Sequence, residues 1–124
     1  MRSTTGSILL GRKTFDQPDE VRRFERGVVE VVNVGDHSVA RATFQPGWRW
    51  SEDVKPIAQT PLCDMEHELY FLSGGMRVRM EDGTEAEFKR GDVVHLMPNH
   101  DAWIVGDEPC VVLDWGAAST YAKK

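Results

Sequence analysis

The most restrictive feature of this sequence is its punctuation. Turn-forming dipeptides recur from residue 35 onward: Gly35-Asp36, Pro46-Gly47, Gly74-Gly75, Asp82-Gly83, Gly91-Asp92 and Pro98-Asn99. Most segments between them are too short for stable helices, and many are rich in β-branched residues. Residues 28–34 read VVEVVNV. Residues 38–44 alternate, with Ala40, Ala42 and Phe44 on one face and Val39, Arg41 and Thr43 on the other. Residues 76–81 (MRVRME) set Met76, Val78 and Met80 against Arg77, Arg79 and Glu81, and Asp82-Gly83 then signals a tight hairpin. Segments 68–73, 84–88, 93–97, 102–105 and 110–115 complete the series. The pattern predicts an all-β sandwich or barrel. Only 17–26 (QPDEVRRFER) carries a helical signal, with Pro18 suited to a first turn and Val21 and Phe24 three apart. It is expected to form one helical turn or a loop. The organisation read from this is an N-terminal extension over 1–27, a barrel over 28–116 and a tail, frayed or crossing, over 117–124.

One stretch breaks the rhythm. Residues 48–67 hold two tryptophans, two prolines, Cys63 and several polar groups without strand patterning. A loop this long within a small β domain usually covers or builds a site, so function is sought there. The size, 124 residues, suits one domain whose site lies in a single core or at a subunit boundary. A formal charge of −5 argues against nonspecific binding to nucleic acid or to an anionic membrane. The apolar runs are too short for a spanning helix, and residues 8–10 are too little for a secretory signal. Two cysteines do not make a disulfide framework, so reduced thiols and a cytoplasmic setting are expected.

The residues over about 38–115 resemble the cupin superfamily, small jelly-roll β-barrels marked by two motifs. Pro46-Gly47 opens the first, and Leu69-Tyr70-Phe71-Leu72-Ser73-Gly74 resembles its closing strand and turn. Gly91-Asp92-Val93-Val94 opens the second, with Met97-Pro98-Asn99 standing where Pro-x-Gly would be. More narrowly, PGWRWSEDVKPI with NHDAWIVGDEPC is similar to short bacterial single-domain cupins of no assigned reaction. The ligand positions depart from the pattern. The family's His-x-His falls on Asp53 and Lys55, its Glu on His67 and its last His on Ala102. A protonated lysine and an alanine cannot ligate a metal. The resemblance implies a cupin-type jelly roll of two antiparallel sheets, a homodimer and a small molecule held in the barrel mouth.

The candidate ligand-binding residues are His67, Lys55, Asp53, His100, Trp50, Trp103 and Trp48. His67 shares the inward face of its strand with Leu69 and Phe71. Asp53 and Lys55 share a face if their segment is extended, and Lys55 would then hold a ligand carboxylate; with His67, His100 and the three tryptophans it points to an anionic or polar-aromatic molecule. His100 has the parity of Ala102 and is placed to replace the missing histidine. Asp53, His67 and His100 would make a two-histidine, one-carboxylate set for one divalent metal, zinc or iron, with Cys63 as a substitute ligand favouring zinc. Three readings stay open: a small-molecule-binding module without metal, a metal-dependent isomerase, hydrolase or oxygenase, and a metal-free acid–base isomerase or lyase using His67 and Asp53.

Overall fold

The computed structural model describes residues 9–118 and 121–122. Among these residues, nine strands and two single-turn helices run, in chain order, β1 Glu20–Phe24, β2 Gly27–Val34, β3 His37–Phe44, α1 Trp50–Asp53, α2 Lys55–Ala58, β4 His67–Ser73, β5 Gly75–Met80, β6 Glu85–Lys89, β7 Val93–Leu96, β8 His100–Val105 and β9 Cys110–Asp114. One sheet has six strands in the order β1-β2-β3-β9-β4-β7, the other three in the order β6-β5-β8. All pairings are antiparallel. The two sheets share one apolar core but are not hydrogen-bonded into a closed barrel. The turn spacing anticipates the all-β organisation, and the family resemblance anticipates this two-sheet, jelly-roll-type architecture.

The alternation explains which faces meet. Ala40, Ala42 and Phe44 of β3, Leu69 and Phe71 of β4, and Met76 and Val78 of β5 all point inward and are buried. Phe71 packs across to Phe88 of β6, ring centres 5.9 Å apart. Gly74, at φ +73°, lets β4 turn into β5 with its backbone against the start of β9. A Cβ there would sit 2.6 Å from the Cys110 Cα.

Two expectations are corrected. Residues 17–26 form no helical turn across Val21 and Phe24, because 20–24 pair along β2 as an edge strand. There Arg22 is buried and Val21 exposed, the reverse of an ordinary apolar stripe. Arg22 is satisfied by Glu20 and by the Tyr121 carbonyl, to which its Nη1 donates at 2.7 Å. The long stretch after Trp48 is also not wholly irregular. Its first part coils into α1 and α2, which places Asp53 and Lys55 on helical turns rather than on one face of an extended segment. Of the tail, Ala117, Ala118, Tyr121 and Ala122 join the core. No helix among the described residues is long and apolar enough to cross a membrane.

Candidate functional site

His67 opens β4, and the two-residue period turns its ring inward beside Leu69. In the neighbouring strand β9 the same parity carries Cys110, Val112 and then Asp114 to the interior. His67 Nδ1 lies 2.7 Å from Asp114 Oδ2, so that nitrogen carries a proton and donates it to the carboxylate. The other oxygen, Asp114 Oδ1, accepts from the backbone N–H groups of Gly116 (2.8 Å) and Ala117 (3.2 Å). The carboxylate is therefore buried but fully partnered, and the imidazole is fixed in orientation with Nε2 turned away from it.

The second half of the site comes from the other sheet and the long loop. Cys63 and His100 form an isolated backbone bridge: Cys63 N–H donates to the His100 carbonyl at 2.9 Å, and the Cys63 carbonyl accepts from Asn99 N–H at 2.6 Å and His100 N–H at 3.2 Å. Asn99 takes the left-handed conformation, φ +74°, that swings the chain into β8. His100 Nδ1 donates to the Met97 carbonyl at 2.8 Å, leaving Nε2 as the ring nitrogen that meets the Cys63 thiol. The thiol of Cys63 is 3.6 Å from His67 Nε2, and the two imidazoles meet edge to face at 5.3 Å between centres. One donor atom from each of Cys63, His67 and His100 lies within 4.8 Å of the others, all three residues being buried.

This packing shifts the protonation of the group. Burial would raise the Cys63 thiol, but hydrogen bonds from His100 and His67 outweigh it and bring it down to about 7. Burial would lower His67, yet the Asp114 carboxylate and Cys63 lift it to about 9. Both shifts run in the direction that draws the proton from the thiol toward the imidazole.

A cavity of about 40 Å³ opens beside these groups. Phe44, Trp48, Trp50, Leu69 and Tyr121 form much of its wall. The Tyr121 ring stands edge-on to His67 at 5.5 Å and to Phe24 at 6.2 Å. Burial, with the charges of Cys63 and Asp114, holds its phenol well above the usual value.

The structure brings together His67, His100, Trp48, Trp50 and Cys63 from the expected set. It does not bring Asp53, Lys55 or Trp103 to them. Asp53 turns back on its own helix, accepting from Arg49 N–H at 3.0 Å and pairing with Arg26 at 2.6 Å. Lys55 is exposed at the start of α2. Trp103 lies half-buried under the guanidinium of Arg49, 4.3 Å from its ring centre, with Arg79 at 5.6 Å. Asp114 and Tyr121 are the residues sequence reasoning missed. Asp114 had a signal, an acid at the inward parity of an apolar strand, whereas Tyr121 had none.

Whether these residues suit a metal can be tested on their own chemistry. Around a tetrahedral zinc, sulfur and nitrogen donors stand about 3.6 Å apart, which matches the Cys63–His67 separation. Both histidines have Nδ1 committed to an acceptor and Nε2 toward the Cys63 thiol, the orientation that outer partners impose on metal-bound imidazoles. Three such ligands fill a zinc coordination sphere except for one position. The donor set fits. A second cluster, Glu66, Glu68 and His95, lies exposed on the outer face of β4 and β7, where acidic groups commonly gather without an ion.

No family model matches the sequence, and no curated protein matches it significantly. Solved structures do match. A cupin-like protein from Thermotoga maritima superposes with a TM-score of 0.51 at 18% identity, over 74% of this chain and 68% of that one. This chain has the cupin fold. A sugar phosphate isomerase of the cupin superfamily from Silicibacter pomeroyi gives 0.58 at 13% identity, covering 83% of this chain and 73% of its own. A variant of the oxalate decarboxylase of Bacillus subtilis gives 0.62 at 14% identity, covering 90% of this chain but 30% of that longer one. At these identities the likeness establishes the fold of this chain and leaves its chemistry to its own residues.

Proposed function

We propose that this cupin is a metal-dependent protein acting on a small molecule, its ion held by Cys63 Sγ, His67 Nε2 and His100 Nε2. The observation that carries this is the convergence of the three buried donors, each histidine already oriented by a partner on its far nitrogen. A divalent ion of the zinc class would serve there as a Lewis acid, polarising a carbonyl or a water at the remaining position. The protein's part is to keep His67 and His100 in the binding tautomer and to wall the cavity against bulk water with Trp48, Trp50 and Tyr121. Asp53, which the sequence offered as the carboxylate ligand, gives way to Cys63.

Elemental analysis of protein purified without chelator or affinity-tag metal tests this. About one equivalent of a divalent metal is expected, falling to background in His67→Ala. A metal-free preparation that takes up no added zinc would reject it. A second reading has one observation in its favour: Cys63, His67 and Asp114 stand in series, the thiol–imidazole–carboxylate order of an activated nucleophile. In that case Cys63 would be alkylated by a small haloacetamide at the same rate with zinc present as with it absent.

A further inference from the structure

We propose that the segment before β1 is an arm that docks on a second copy of this chain. Leu9 and Leu10 of one copy seat in the opening between β6 and β7 of the other, the arm runs along edge strand β7, and the two copies exchange arms. This goes beyond the metal reading and does not depend on it.

The receiving surface is unpaired main chain beside an apolar gap. β7 ends the six-stranded sheet and β6 ends the three-stranded one, so each has a side without a strand neighbour. The hollow between them is lined by Met80, Ala86, Phe88, Leu96 and Met97, with exposed His95 beside them. β6 guards its edge with Glu85, Glu87 and Lys89, charges of the kind that discourage pairing. β7 carries neither lysine nor proline, and Val93 is 82% and the following Met97 53% exposed. Such an edge accepts an added strand, with the apolar gap taking alternate side chains.

The occupant is argued from the arm. Leu9 and Leu10 are 97% and 92% exposed, more than any other large apolar side chain described, and neither belongs to the core of its own chain. The chain first engages its own fold at Lys13, whose ammonium pairs with Asp19 at 2.7 Å, just ahead of β1. From there to Leu9 is four residues, a reach of about 14 Å when fully extended. β1 and β7 lie at opposite ends of the sheet order, five strand spacings or about 24 Å apart. While the Lys13–Asp19 pair holds, these leucines fall short of their own β7, and a second copy has to supply it.

Charge agrees. Residues 1–13 contain Arg2, Arg12 and Lys13 and no acid. Glu85 borders the opening on one side, shared with Arg77, and on the other Glu66 and Glu68 pair with His95. No lysine or arginine lines the opening among the described residues. A basic arm is therefore attracted to this edge, whereas two such edges laid against each other would repel. Exchange about a twofold axis makes every contact twice, which lets a short arm hold two copies together.

Sedimentation velocity on the full chain, across a concentration series, should show a dimer that loosens as salt is raised. Leu9→Asp with Leu10→Asp alters side chains outside the fold and should weaken the dimer about tenfold or more, as should Met97→Glu on the receiving side. Circular dichroism checks that both variants stay folded. In a mixture of isotopically labelled and unlabelled copies, filtered NOEs should join the leucine methyls of one copy to Phe88 and Met97 of the other. A monomer at every concentration would overturn the proposal, as would a dimer indifferent to the leucine pair. So would NOEs linking these methyls to the opening only within one copy.

Discussion

Asp114 divides its oxygens between two tasks, one orienting His67 and the other holding the turn at Gly116 and Ala117. Asp114→Asn keeps the shape and loses the charge. Zinc affinity should then fall by about 10–100-fold, as losses of outer partners of metal-bound histidines do, read by competition with a chromophoric chelator. The same pair makes a prediction about pH in the metal-free protein. The folded-state value of His67 is raised, to about 9, so its stabilising contribution is complete below the ordinary histidine value of about 6.5 and is lost as pH climbs through the folded value. Cys63, drawn down to about 7, contributes with the opposite sign between about pH 7 and 9, so the decline is read in Cys63→Ser: its urea midpoints taken between pH of about 6 and 10 should fall, and adding Asp114→Asn should flatten the profile. The two thiols differ as sharply. Burial and Glu108 push Cys110 up to about 12, whereas Cys63 is drawn down to about 7. Alkylation of the native protein by iodoacetamide should therefore mark Cys63 and spare Cys110, and zinc should protect it, with peptide mass mapping as the readout.

At the scale of elements, the backbone of Gly116 lies so close to β4 that a Cβ would fall 2.8 Å from the Glu66 carbonyl oxygen and 2.9 Å from the Glu68 nitrogen. Gly116→Ala should cost about 1–3 kcal/mol through that overpacking, measured by denaturant unfolding, and should weaken zinc binding by disturbing the N–H that Asp114 accepts. Strands such as β3 and β5 could be read directly because their inward positions are apolar and their outward ones polar. Edge strand β1 could not, because it inverts that code: Arg22 faces in, supported by Glu20 and by a carbonyl about a hundred residues away in the sequence, and Val21 faces out. The same distinction divides the site. His67 was legible from its place at the head of an apolar strand. Asp53 misled because parity along an extended chain loses its meaning once the segment coils into α1, turning the carboxylate toward Arg49 and Arg26. The meeting of Cys63 with His100 depends on a backbone bridge between residues 37 positions apart, which no local pattern encodes.

For the molecule as a whole, the three donors tie together parts that the strand ladders leave separate. His67 belongs to the six-stranded sheet, His100 to the three-stranded one, and Cys63 to the connection that spans them. An ion bound there would act as a cross-link between the sheets. Zinc at a hundred times its dissociation constant should add about 2.7 kcal/mol to the stability of the wild type and nothing to His67→Ala, seen as a shift in thermal midpoint that a chelator reverses. The Cys63–His100 bridge has a further consequence for how such a domain tolerates change. Because the thiol's position is set by hydrogen bonds to the strand opposite, the surface-exposed stretch around Pro56 and Gln59 is relieved of that duty. Insertions or deletions there should leave the donor in place, so grafted libraries could vary the length of this segment without rebuilding the floor of the cavity.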